Sequence, residues 1–284
     1  MGRLKSFTFT SWNVKGRAIK ANNSMPKNYL KQFFFPFGGN GQSSVIDIVA
    51  LQEVSRSFYE KLVKANIFAW HKYSLNEGAT GTKGCALFGS KKFTLLAIDR
   101  TLFSKQMIVA ELSNPTIGTL TGCSFHIPNG SNYAHVKRDV GDEIANWLTK
   151  KRTRTVFGID ANSPEIDHPD NTKIQLYKYD SRLLLGNSPI HNLEDTCRVY
   201  LNAHSELMGP IVLLREHGPL STSFINYKRD ENKTPVPHRY DHIYTTPDIN
   251  VISIKYLDIH SKVYDDGDKR LSDHAMVVTE LSIK

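Results

Sequence analysis

Asn13, Glu53, His126, Asp160 with Asn162, Asp241, and the adjoining pair Asp273 and His274 each stand at the edge of an apolar, strand-like run. The runs read SWNV, IVALQEV, GCSFHIPNG, VFGIDANSPE, RYDHIY and LSDHAMVV. Strand ends are where loops gather and where sites are usually built. Asn13, Glu53 and Asp273 offer hard oxygen ligands, which suit Mg²⁺ or Mn²⁺ rather than zinc. Two histidines and two further aspartates offer proton transfer and hydrogen bonds near neutral pH. A hard cation beside acid and base groups is what hydrolysis of a phosphate ester requires. Taken singly, each has a plainer role: a turn at Asn13, a helix N-terminus at Glu53, an Asx-turn at Asp160, a structural histidine at 126. Their recurrence at strand after strand favours a common site.

The elements that must position these residues follow from hydrophobic period. Phe7 and Phe9 alternate with threonines, and 45–51 is nearly continuous apolar sequence. Further strand-like stretches cover 84–88, 93–98, 107–112, 116–125, 153–159, 240–245, 251–259 and 275–283. Their length and β-branched content favour strands. Ser57 with Glu60 has the spacing of a capping box, and Phe58, Leu62 and Val63 supply an apolar helix face. A second helix is expected through Tyr133, Val136, Val140, Ile144, Trp147 and Leu148, opened by Ser131 or Asn132 and closed by Lys150 and Lys151. Many strands with few helices predict an α/β (or α+β) layered architecture.

The bulk properties narrow the partner. The formal charge of +8 favours a polyanion, either nucleic acid or an anionic surface, and disfavours a small cationic substrate. No apolar run approaches the roughly 20 residues that span a bilayer. The N-terminal stretch has no secretory apolar region, so a cytoplasmic location is expected. Cys85, Cys123 and Cys197 are odd in number and widely spaced, which fits reduced, buried thiols and neither a disulfide framework nor a zinc site. No repeat or linker divides the chain.

The blocks WNV (12–14), LQEV (51–54), KGCALF (83–88), FHIPNG (125–130), GIDAN (158–162), RYDHIY (239–244) and LSDHAMV (271–277) together resemble the endonuclease/exonuclease/phosphatase superfamily, in its order and across almost the whole chain. The resemblance implies a single domain over 1–284, a deoxyribonuclease I-like four-layer sandwich of two packed mixed β-sheets flanked by helices. It implies Glu53 as principal metal ligand with Asn13 and Asp273 beside it. Asp160 would orient or deprotonate the attacking water, and Asn162 would contact phosphate. His274, oriented by Asp241, would stabilise phosphate charge or move a proton, and His126 would assist the leaving oxygen. Either histidine fits the proton donor. Two departures stand out: one residue is inserted after Gly158, and no acid directly precedes KGCALF to pair with His126, Glu77 being the nearest.

Substrate class is read from the variable blocks. Arg239-Tyr240-Asp241-His242 differs from the Trp-Cys-Asp-Arg motif of inositol-polyphosphate 5-phosphatases. DTCR (195–198), TSF (222–224) and RYDH make the layout similar, distantly, to abasic-site endonucleases. Basic residues flank the motif loops: Lys15, Arg17, Lys137, Arg138, Lys228, Arg229, and above all Arg239, Lys269 and Arg270, which are expected to contact substrate. The stretch YLKQFFFPFGG (29–39) offers aromatics for base stacking or for closing a core. The expectation is an Mg²⁺- or Mn²⁺-dependent phosphodiesterase acting on nucleic acid, DNA first. The alternatives are a lipid or small-molecule phosphoesterase and a non-catalytic nucleic-acid-binding member.

Overall fold

A computed structural model describes residues 6–15, 46–75, 83–99, 106–151, 153–226, 235–257 and 272–284. Arg17, Glu77, Lys228, Arg229, Lys269, Arg270 and the stretch 29–39 lie outside these, as do the side chains of 130–134.

Alternation builds two six-stranded sheets. The first contains β1 (Ser6–Asn13), β2 (Ile48–Ser55), β3 (Trp70–Tyr73), β4 (Lys83–Gly89), β13 (Ile249–Leu257) and β14 (Met276–Ile283), ordered β13-β14-β1-β2-β4-β3. The second contains β5 (Thr94–Asp99), β6 (Met107–Asn114), β7 (Gly118–His126), β8 (Thr155–Asp160), β9 (Glu194–Asp195) and β12 (Asp241–Thr245), ordered β5-β6-β7-β8-β12-β9. Each sheet is antiparallel except for one central parallel pair, β1 with β2 and β7 with β8. A short hairpin, β10 (Phe224–Asn226) and β11 (Val236–His238), stands apart.

Because strand side chains alternate faces, each central strand can be read as two rows. The inward rows are Phe7, Phe9 on β1, Ile48, Ala50 on β2, Leu120 on β7, Val156 on β8 and Ile243 on β12, all in one buried cluster between the sheets. Continued two residues at a time toward one end, those rows turn polar. Ser11, Gln52 and Ser124 follow, with Gln52 Nε2 donating to Ser11 Oγ at 3.2 Å and Ser124 Oγ at 3.0 Å. The sheets approach closely here: a Cβ on Gly158 would meet Ser11 Oγ at 2.5 Å, so only glycine fits. One more step along the rows reaches Asn13, His126 and Asp160.

The outward rows take the helices. α1 (Arg56–Ala65) covers Leu51, Val54 and Phe88 with Phe58 and Leu62. Its cap is Ser55, whose hydroxyl accepts from Phe58 N at 3.3 Å, so the expected Ser57 cap is displaced by two residues. α2 (Gly130–Leu148) packs Val140, Ile144 and Leu148 on Phe125, Phe157 and Ile159 of the second sheet. α3 (Thr196–Ala203) and α4 (Ser205–Leu214), absent from the sequence expectation, pack Cys197, Leu201, Met208 and Ile211 against Ile254 and Tyr256 of β13.

Gly141 inside α2 is a close-approach glycine, since an added Cβ would meet the Ser181 Cβ at 2.5 Å. Helix propensity alone favours alanine by about 1 kcal/mol, whereas overpacking a tight contact costs about 1–3 kcal/mol. The clash wins, and Gly141→Ala is expected to lower the urea midpoint; a raised midpoint would mean that the Ser181 segment yields freely.

Candidate active site

The inward rows end in a line across the second sheet. Asp160, last residue of β8, is in register with His126, last of β7, and with Asp241, first of β12. Asn13, last of β1, faces them from the first sheet and donates through Nδ2 to Asp160 Oδ2 at 2.5 Å and Glu53 Oε1 at 3.1 Å.

Glu53 reaches this line only because β2 is irregular. Strict alternation would put it outward with Leu51. The pairing of β2 with β4 shifts register between Leu51 and Val54, and Glu53 itself sits at φ 49°. Such a bulge re-aims a side chain at a modest backbone cost. The carboxylate then lies 3.5 Å from His126 Nε2 and 2.5 Å from Lys83 Nζ. Burial raises the Glu53 carboxyl, but His126, Lys83 and Asn13 together outweigh this and hold it below its ordinary value.

His274 closes the other side. Its Nδ1 lies 2.8 Å from Asp241 Oδ2 and 4.0 Å from Asp160 Oδ2. Ser272 Oγ fixes the approach, accepting from His274 N at 3.0 Å and donating to the Asn13 carbonyl. Burial opposes a charged imidazole, but Asp241, then Asp160, push His274 up to about 10, so it carries its proton at neutral pH. Burial lifts the Asp241 carboxyl above its ordinary value, His274 offsets part of that, and Asp160 adds to it. Ser223 Oγ holds this strand end by accepting from Tyr240 N and Asp241 N at 2.9 and 3.0 Å.

Two clusters of potential ligand atoms therefore share Asp160: Glu53 with His126, and Asp241 with His274. Asp273 joins neither; it lies 4.0 Å from His274 Nε2 and is paired with Lys15. Asn162, at φ 48°, takes part in an Asx-turn, its N donating to Asp160 Oδ1 at 2.9 Å. Its amide donates to the Ile127 carbonyl, bracing the loop after β7. His126 has no acid from the β4 approach as partner among the described residues; its carboxylate neighbours are Glu53 and, at 3.8 Å, Asp160.

Arg239 corrects an expectation. Rather than contacting substrate, it is 1% exposed, with Nε and Nη2 donating to Asp167 at 2.6 and 2.9 Å and Nη1 to Asp195 at 2.8 Å. It forms a buried ion cluster behind β12 that also takes in Arg198 and His242. Lys83 and Ser223 are site neighbours that sequence reasoning did not single out, although each lies in a block noted for other reasons, KGCALF and TSF.

No family model matches the chain, and no curated protein does. Solved structures do match. TDP2 from D. rerio, complexed with single strand DNA product, is 14% identical, with TM-score 0.66 over 98% of this chain and 99% of that one. The endonuclease/exonuclease/phosphatase from Bacteroides vulgatus is 14% identical, TM-score 0.61, over 98% and 99%. The human Nocturnin catalytic domain with bound sulfate anion is 16% identical, TM-score 0.58, over 99% and 94%. The chain has the deoxyribonuclease I-like fold. In that fold the two sheets are the mixed pair described above, flanked by helices. Among the described residues no helix is long and apolar enough to cross a membrane.

Proposed function

We propose that this chain is a divalent-metal-dependent phosphodiesterase of the endonuclease/exonuclease/phosphatase superfamily, one domain over 1–284, that hydrolyses nucleic acid, DNA first. The observation that carries the reading is the convergence of Asn13, Glu53, His126, Asp160, Asp241 and His274 at one end of the inter-sheet space.

The donor set fits a hard cation. Glu53 and Asp273 are partly exposed carboxylates, each already facing a cationic ammonium, Lys83 and Lys15. Glu53, Asn13 and Asp273 would hold Mg²⁺ or Mn²⁺. When bound, such an ion supplies neutralisation of charge on the phosphoryl oxygens. Asp160 accepts the proton of the attacking water from a position fixed by Asn13 and Asn162. His274, held charged by Asp241, faces the phosphoryl oxygens, which leaves His126 as the donor to the departing oxygen. DNA is favoured by the net charge of +8 and by the likeness to a protein solved with a single strand DNA product.

A substrate panel tests this. With Mg²⁺ or Mn²⁺ the protein is expected to cleave oligodeoxynucleotides and to stop when a chelator is added, and Glu53→Gln is expected to raise the half-saturating metal concentration at least tenfold. Cleavage that ignores the chelator removes the metal assignment. Turnover of sphingomyelin or phosphoinositides with oligonucleotides untouched replaces the substrate class.

A further inference from the structure

Beside Asn162 lies a second place shaped for an anion. A cavity of about 400 Å³ opens against α2, lined by Arg138, Asp142, Lys178, Asp180, Arg182 and Leu183. Its two acids are engaged within the protein. Asp180 is buried and takes Lys137 Nζ at 2.5 Å and Tyr177 N at 2.8 Å, and Asp142 accepts from Ser181 Oγ at 2.6 Å. Arg138, Lys178 and Arg182 are exposed, and among the described residues none of them forms a salt bridge. The cavity wall is therefore cationic, with its charge directed to solvent.

Two of these cations are held in place before any ligand arrives. Arg138 Nη2 donates to the Lys178 carbonyl at 2.6 Å, tying α2 to the 177–182 segment. Arg138 and Lys178 both lie against the Tyr179 ring, 6.0 and 5.3 Å from its centroid. Cation–π contacts of this kind restrict long side chains, so less freedom is lost when an anion binds. The cavity is also close to the chemistry. The Lys137 ammonium donates to the Asn162 carbonyl at 2.9 Å and meets Asp180 Oδ1 at 2.5 Å, so one ammonium separates the Asn162 loop from the cavity wall.

We propose that this cavity is a phosphate subsite holding an uncut phosphodiester of a polynucleotide strand while another phosphodiester of the same strand lies in the active site. The inference rests on the phosphodiesterase reading and sharpens it. A substrate with a single phosphodiester fills the active site alone, whereas a strand fills both. Phosphate contacts position a strand without reading its sequence, so the subsite confers length preference and salt dependence, not base preference.

The test is fluorescence anisotropy of labelled single-stranded oligo-dT of two and twelve nucleotides, in chelator so that nothing is cleaved. In the wild type the 12-mer binds far more tightly than the 2-mer. Arg138→Gln with Arg182→Gln is expected to weaken 12-mer binding about tenfold near 0.1 M salt and to flatten the salt slope by about 0.7, the value for one single-strand phosphate contact. Arg138→Lys with Arg182→Lys keeps the charge and restores most of the affinity, which separates lost contacts from misfolding. Lys150→Gln, at an exposed cation just beyond the C-terminal end of α2, leaves binding unchanged. A glutamine pair with wild-type affinity and slope overturns the proposal, as does an equal loss from Lys150→Gln or preference for phosphoinositide vesicles over the 12-mer. Absence of cleavage alongside the expected binding differences strikes the catalytic reading and leaves the subsite standing; the reverse pattern removes the subsite alone.

Discussion

Arg239→Ala is expected to destabilise the protein by about 3–5 kcal/mol at pH 7, the usual cost of removing one partner from a buried ion cluster. Asp167 and Asp195 are both buried against this guanidinium, at 2.6 and 2.8 Å. Burial alone would raise both carboxyls, but Arg239 outweighs it and holds them below the carboxylate range, helped by Arg198 at Asp167 and by His242 at Asp195. Groups whose folded pKa is depressed contribute stability that is present above their unfolded value, about 3.9, and that is lost as pH falls through the folded value. The wild type should therefore hold its stability down to about pH 4 and weaken below it. In the alanine variant burial acts with its main opponent gone, so the carboxyls titrate higher and the charged forms are costly at neutral pH. The gap between wild type and variant should narrow as pH is lowered from 7 toward 4. Urea unfolding at a series of pH values measures this, and a gap that stays constant or widens toward acid would exclude the electrostatic account.

The second large effect is catalytic. Asp160→Asn is expected to lower kcat on an oligonucleotide by about 10²–10⁴-fold, the usual contribution of a positioned acid or base, with KM little changed and the thermal midpoint lowered by one lost buried hydrogen bond. The substitution keeps shape at a position that is 0% exposed, but Asp160 accepts through both oxygens, from Asn13 Nδ2 and from Asn162 N, and the amide can accept only one of these. What it removes is the proton acceptor shared by both clusters of the site. Steady-state kinetics at saturating Mg²⁺ decide the matter. More than a tenth of wild-type kcat in the asparagine variant would mean that Asp160 has no part in proton transfer.

Much of this arrangement is legible in the sequence because alternation is a strict code. Phe7, Phe9, Ser11 and Asn13 share a face by counting alone, and so do Val156, Gly158 and Asp160. The failures have local causes. Glu53 is named for the site by its block and not by counting, which would turn it outward, because a bulge fixed by pairing with β4 has no residue signature of its own in LQEV. Ser57 matches a capping box as well as Ser55 matches a plain cap, and where β2 stops settles the choice. Arg239 looked like a substrate contact because sequence shows a charge beside a motif but not whether Asp167, far along the chain, has already claimed it. α3 was missed because its start signal is Asp195, whose side chain caps Cys197 N and Arg198 N, while its brief apolar face is completed by β13.

The division of the site between the sheets has a consequence for how the molecule comes together. Asn13 and Glu53 belong to the first sheet, His126, Asp160 and Asp241 to the second, and the gap between them is spanned by side-chain hydrogen bonds such as Asn13 to Asp160. A chain with both sheets formed but not yet docked would hold every functional group and no site. On the proposed reading, catalytic competence would be a check on assembly: the site would be complete only when the inter-sheet core has closed to the spacing that Gly158 permits against Ser11.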